Sequence, residues 1–238
     1  MTDSDGRAAS MEKTTSKRCR PYGDAASADV WFLGHDPRLR TSDAKADTCF
    51  FLNLLEREGT HSGGEKAKRR LAQALLDYVA ELAGGPVEPS RLYVTNLCNT
   101  FLPRPKKGVV LIPDTVAEAG AREIERALAN RTVPPTVIIA SSQQVLYHLA
   151  RLGYVEGVIG DFVSGSQPNE PAAHAGAYIA SKREAFVDVC GKALRWNNVP
   201  LVPVLHISSY RRINAKYHRP MQRAREAVRS ALGARPAK

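Results

Sequence analysis

At 238 residues, with 34 lysines and arginines against 24 acidic residues, the chain carries a net charge of +10 and a hydrophobic content of 43%. That length holds one fair-sized α/β domain or two small ones, and the positive balance points to a polyanionic partner, nucleic acid above all. No apolar run is long enough to span a membrane, and the polar start MTDSDGRAASMEKTTSKRCR lacks the apolar core of a signal peptide, so a cytoplasmic protein is expected.

Residues 1–27 read as a disordered, basic arm, and 28–238 as one folded domain. The run Val30, Trp31, Phe32, Leu33 is a first strand, and it ends abruptly in Gly34, His35, Asp36 and Pro37. After CFFLNLLERE comes a helix, EKAKRRLAQALLDYVAELAGG, in which Leu71, Leu75, Val79 and Leu82 recur at helical spacing before a Gly-Gly stop. RLYVTNL is a second strand. PDTVAEAGAREIERALAN is a helix with Pro113 and Asp114 at its start and Ile124 and Leu128 on one face. TVIIA is a third strand, and SQQVLYHLARLG a helix closed by Gly153.

Residues 154–178 are rich in Gly, Pro, Ser and Asn and read as a long loop, with room for a short strand at GVIGDF. SKREAFVDVCGKALRW reads as a helix, PLVPVLH as a fourth strand despite its two prolines, and RPMQRAREAVRSALGA as a closing helix. Strands alternating with helices predict a three-layer α/β/α sandwich around a central four-stranded parallel sheet.

Ligands of such sheets bind beyond the carboxyl ends of the strands. Here those positions hold Gly34, His35 and Asp36, then Asn96, then Ser141 and Ser142, and finally HISSYRR, His206 to Arg212. The edge therefore gathers a carboxylate, an amide, hydroxyls, a histidine and arginines. The four cysteines, at 19, 49, 98 and 190, form no C-x-x-C pair, and the six histidines are scattered. Free thiols are expected, with no metal site and no cofactor.

GHDP running out of a strand, TCFF downstream, LYVTNL, and the late HISSYRR together resemble the uracil-DNA glycosylase superfamily in content and order. The resemblance spans Trp31 to Arg212. It implies a monofunctional DNA glycosylase, a monomer that flips a base out of DNA and hydrolyses its N-glycosidic bond. Cleavage builds positive charge on the sugar and negative charge on the departing base. Asp36 would orient water and stabilise the cation, and His206 would donate to the base oxygen.

The base would lie against Gly34, His35 and Arg38, stacked on Phe50 or Phe51, with its edge read by Asn96. Ser208, Ser209, Arg211 and Arg212, with Lys106 and Lys107, would hold phosphates. Two departures bear on the substrate. Arg38 stands where the closest branch has a tyrosine that crowds pyrimidine C5, and Ile207 stands where a proline usually follows the histidine. A uracil-like base or a C5-modified pyrimidine is thus the expected substrate, the latter pointing to modified cytosine in phage DNA and a role in defence. Strict uracil repair and a non-catalytic DNA-binding homologue are the alternatives.

Overall fold

The computed structural model describes residues 18–35, 48–56, 63–100, 102, 111–157, 183–207 and 217–233. Its centre is strand β1, Val30–Gly34, with all five residues buried. It pairs in parallel with β2 (Leu92–Asn96) on one side and β3 (Val137–Ser141) on the other. Strands covered on both faces need apolar side chains at every position, which is why VWFL and VIIA are unbroken runs. β5, Val199–Val204, continues the parallel set beside β3.

Among the described residues the sheet has five strands, in the order β2-β1-β3-β5-β4, and not the four expected. The addition is β4, Leu194–Trp196, antiparallel to β5. The helix expected to run through SKREAFVDVCGKALRW instead ends early, as α4, Arg183–Val189. Gly191 explains the stop. It has φ +80°, and a Cβ there would lie 2.5 Å from the backbone nitrogen of Ala224. Asn197 and Asn198 then adopt φ 48° and 65°, the left-handed pair that a two-residue hairpin requires and that asparagine tolerates. Pro203 fits because β4 pairs only as far as Leu201. The carbonyl of Pro203 accepts from the Gly191 N–H, so its missing N–H faces a side that β4 has already left.

Helix α1, Gly63–Ala83, lies between β1 and β2; α2, Asp114–Ala129, between β2 and β3; α3, Gln143–Arg151, follows β3. Right-handed crossovers put α1 on one face of the sheet and α2 with α3 on the other. The closing helix α5, His218–Gly233, packs on α1, β3 and β5. Ser142 caps α3, its Oγ accepting from the Val145 N–H at 3.4 Å. No helix among the described residues is long and apolar enough to cross a membrane.

Residues 18–27 fall within the arm expected to be disordered, but the structure ties them down. Tyr22 and Val94 exchange both backbone hydrogen bonds, at 2.8 and 2.9 Å, on the side of β2 away from β1. Cys19 and Ala28 are buried. Residues 1–17 and 158–182, the latter holding most of the expected long loop, lie outside the described residues.

Candidate functional site

The carboxyl ends of β1, β2, β3 and β5 share one edge of the sheet, as parallel register demands. Gly34 and Asn96 are direct register partners at the ends of β1 and β2. Ser141 ends β3. His206, half-buried, lies two residues past β5. The backbone leading to it is pinned from two sides, because the Leu205 carbonyl accepts from Tyr78 Oη at 2.7 Å and Ser141 Oγ at 3.5 Å.

Gly34, Asn96 and Phe50 meet. A Cβ on Gly34 would lie 2.2 Å from Asn96 Oδ1 and 2.6 Å from Phe50 Cε2, so only glycine leaves room for both neighbours. Phe50 packs edge-on against Phe32, with ring centroids 5.7 Å apart. It sits on a short 3-10 helix, Cys49–Leu54, in which Phe50 and Phe51 both have left-handed backbones, φ 56° and 59°. For residues with a Cβ this costs about 1–2 kcal/mol each. Strain of this kind persists only where the surroundings enforce it. Here the 3-10 helix is held by Cys49 N donating to the Arg20 carbonyl at 2.8 Å and Arg69 Nη1 donating to the Leu54 carbonyl at 2.7 Å.

The strain sends consecutive rings in different directions. Phe50 remains partly exposed beside Gly34 and Asn96. Phe51 is buried with Leu54 and Leu71, and Lys68 Nζ stands 5.2 Å above its ring. The basic start of α1 therefore borders the helix that carries Phe50.

Asn96 is 1% exposed. Its Nδ2 donates to Cys49 Sγ at 3.4 Å, and its backbone N–H donates to Asn99 Oδ1 at 3.3 Å. Its Oδ1, facing Gly34, is buried without a hydrogen-bond partner. Leaving a buried acceptor unmet costs about 1–3 kcal/mol, so such an atom calls for an explanation. An amide oxygen in that position has an acceptor site left to offer.

His35 is 8% exposed, and its carbonyl accepts from the Cys98 N–H at 3.2 Å. Its neighbour in electrostatic terms is His148 of α3. Burial pushes the His148 imidazole down to about 4, with the positive fields of His35 and Arg151 adding to the effect and Asp114 opposing it. Asp114, at the start of α2, pairs with Arg151 at 2.6 Å and approaches His148 Nδ1 at 3.5 Å. At neutral pH His148 is therefore uncharged.

Among the predicted site residues, Gly34, His35, Phe50, Asn96 and His206 are described at this edge, and Phe51 is placed away from it. Asp36, Arg38, Lys106, Lys107, Ser208, Ser209, Arg211 and Arg212 lie outside the described residues. Among the described residues, no group of three or more His, Cys, Asp or Glu side chains could hold a metal ion. Cys49 and Asn99, which hold Asn96, went unread as site residues. The only signal for Asn99 is a second asparagine three positions after the strand end, and Cys49 has none beyond its place before Phe50. No protein-family model matches the chain, and comparison with curated proteins finds no matching relative.

Proposed function

We propose that the protein is a DNA glycosylase that excises a flipped uracil-like or C5-modified pyrimidine. The observation that carries this reading is the buried, unmet oxygen of Asn96, beside the Phe50 ring and over a glycine that no other residue could replace without overlap. A pyrimidine ring supplies what this arrangement lacks: a flat face for Phe50 and a polar edge for the amide. A chain of net charge +10 adds the attraction for a polyanion that a DNA-acting enzyme needs.

Asp36, the residue after His35, would then orient the attacking water and stabilise the sugar cation. His206, two residues past β5 on the same edge, would stabilise the departing base. Phosphate contacts would come from Ser208, Ser209, Arg211 and Arg212, with Lys106 and Lys107. No lysine occupies a strand-end motif, so hydrolysis by water is favoured over a Schiff base, and the product would be an abasic site.

The test is abasic-site formation from matched oligonucleotides holding uracil, thymine, hydroxymethylcytosine or glucosylated hydroxymethylcytosine, with a free nucleoside as control. Excision of uracil or of an enlarged pyrimidine from DNA, with none from the nucleoside, is the expected result. Tight DNA binding without excision of any base would return the protein to a non-catalytic binding role.

A further inference from the structure

Two free, buried thiols meet where the arm crosses the candidate site. Cys19 and Cys49 are 30 positions apart in the chain, and their Sγ atoms lie 3.4 Å apart. Cys19 belongs to the segment bound along the outside of β2, where its N–H donates to the Asn99 carbonyl at 2.8 Å. Cys49 opens the 3-10 helix that carries Phe50. Sulfurs in contact need only a short approach to reach the bond length of a disulfide, about 2.05 Å. Cys98 is placed differently, its thiol donating to the Thr100 carbonyl at 3.1 Å.

The Cys49 sulfur is also a fastening of the sheet edge. It donates its proton to Asn99 Oδ1 at 3.4 Å and accepts from Asn96 Nδ2 at 3.4 Å. Asn96 in turn stands against Gly34, whose other neighbour is Phe50. A disulfide sulfur carries no proton, so oxidation would delete the bond to Asn99 outright. It would also draw the sulfur toward Cys19, and the support under the Asn96 amide would change.

We propose that Cys19 and Cys49 are an oxidative modification site, closed to a reversible disulfide by a hydroperoxide, and that the disulfide weakens the site built around Asn96. The arm is held to β2 and to Thr48 by isolated bridges, so local opening reaches Cys19 before Cys49 at the core. Peroxide attack there forms an S–O bond and breaks the O–O bond. Cys19 becomes a sulfenic acid, and the displaced hydroxide leaves as water with the thiol proton. The Cys49 sulfur then attacks the Cys19 sulfur. The S–S bond forms, the S–O bond breaks, and a second water carries off the Cys49 proton. Two thiols have lost two electrons, and one peroxide has gained them. Burial, with the neighbouring Cys19 adding to it, raises the Cys49 thiol well above its ordinary range. It is therefore slow to meet peroxide itself and suited to resolving an activated sulfur already in contact. A dithiol reductant reverses the change.

The test uses the full chain, treated with hydrogen peroxide and digested with its remaining thiols blocked. The mass should fall by about 2 Da, with one cross-linked peptide pair joining residues 19 and 49. Dithiothreitol should reverse this, and Cys19→Ser should not show it. In NMR spectra the Asn96 side-chain NH₂ signals, assigned by their loss in Asn96→Asp, should shift on oxidation of the unaltered chain and stay in place in peroxide-treated Cys19→Ser. Only the effect on excision rests on the glycosylase reading. Single-turnover excision should fall about tenfold on oxidation, recover with dithiothreitol, and resist peroxide in Cys19→Ser. Peroxide that leaves all four thiols intact, or takes Cys19 to a sulfinic acid without cross-linking, would overturn the proposal. A disulfide that leaves the Asn96 signals unmoved would overturn its link to the site. Failure of the reduced protein to excise any base would count against the glycosylase reading instead, with the mass and NMR results still deciding the disulfide.

Discussion

Phe50 and Phe51 are neighbours with the same residue type and the same left-handed backbone, yet they belong to two different regions. Phe50 faces the sheet edge, in contact distance of Gly34 and Asn96 and still partly open. Phe51 closes a small apolar cluster with Leu54 and Leu71 under the basic start of α1. A left-handed turn is what allows one dipeptide to serve both. In an ordinary helix, adjacent side chains would diverge by a fixed angle set by the helix, and neither ring would be free to suit its own surroundings. The lesson is that identical side chains in consecutive positions divide between an open sheet edge and a closed apolar cluster according to what each ring meets.

The largest effect expected is at the residue proposed to orient the attacking water. Asp36→Asn should lower the single-turnover excision rate by about 10²–10⁴-fold while DNA affinity is retained. A near-normal rate would remove Asp36 from the chemistry and leave the Phe50 region as a binding surface alone.

The two phenylalanines can then be set against each other directly. Phe50→Ala should reduce kcat/KM by about 10–100-fold, the loss of a base-stacking face, with little change in melting temperature. Phe51→Ala should do the reverse, costing about 3 kcal/mol and lowering the melting temperature by roughly 6–12 °C, with the rate per folded molecule preserved. Parallel behaviour of the two variants, in either measurement, would break the distinction.

A pH titration sharpens the comparison from the other face of the sheet. His148 is depressed to about 4, so the folded state favours its neutral form. Its contribution is present above the ordinary value near 6.5 and is lost as pH falls toward and through 4. Urea unfolding at pH 7.5 and pH 4.5 should differ more for the unaltered protein than for His148→Leu. Equal pH dependence would mean that His148 is not held neutral by the fold. The smallest effect concerns the rim. Arg211→Ala and Arg212→Ala should each flatten the logarithmic salt dependence of DNA affinity by about one, without altering base preference.

Much of the fold is legible in the chain because parallel central strands leave a plain mark. VWFL, LYV and VIIA are apolar at every position and end in glycine or polar residues, and the structure ends β1, β2 and β3 at Gly34, Asn96 and Ser141. The strand-end rule then places Gly34, Asn96 and His206 on one edge from the chain alone. β4 is hidden because three residues, Leu194–Trp196, carry no measurable period and continue an amphipathic pattern. The Asn-Asn pair at 197–198 is the cue that a hairpin follows. Which of the two phenylalanines faces the edge is equally hidden, since it depends on a backbone conformation that aromatic residues seldom adopt. The contact of Cys49 with Asn96 joins residues 47 positions apart, and contacts at that range leave no local pattern to read.

The segment around Tyr22 has a consequence for how copies of the chain treat one another. β2 is the outermost strand on its side, and an uncovered outer strand offers unpaired N–H and C=O groups to any neighbouring chain. Tyr22 occupies both groups of Val94, and Gly23 lies so close that a Cβ there would meet the Leu92 carbonyl at 2.0 Å. The opposite margin is guarded in the same way, with Glu156 exchanging both backbone hydrogen bonds with Arg195 of the three-residue β4. Removing residues 1–23 would open the longer margin to strand-to-strand pairing. The shortened protein would then self-associate more strongly than the intact chain as its concentration rises.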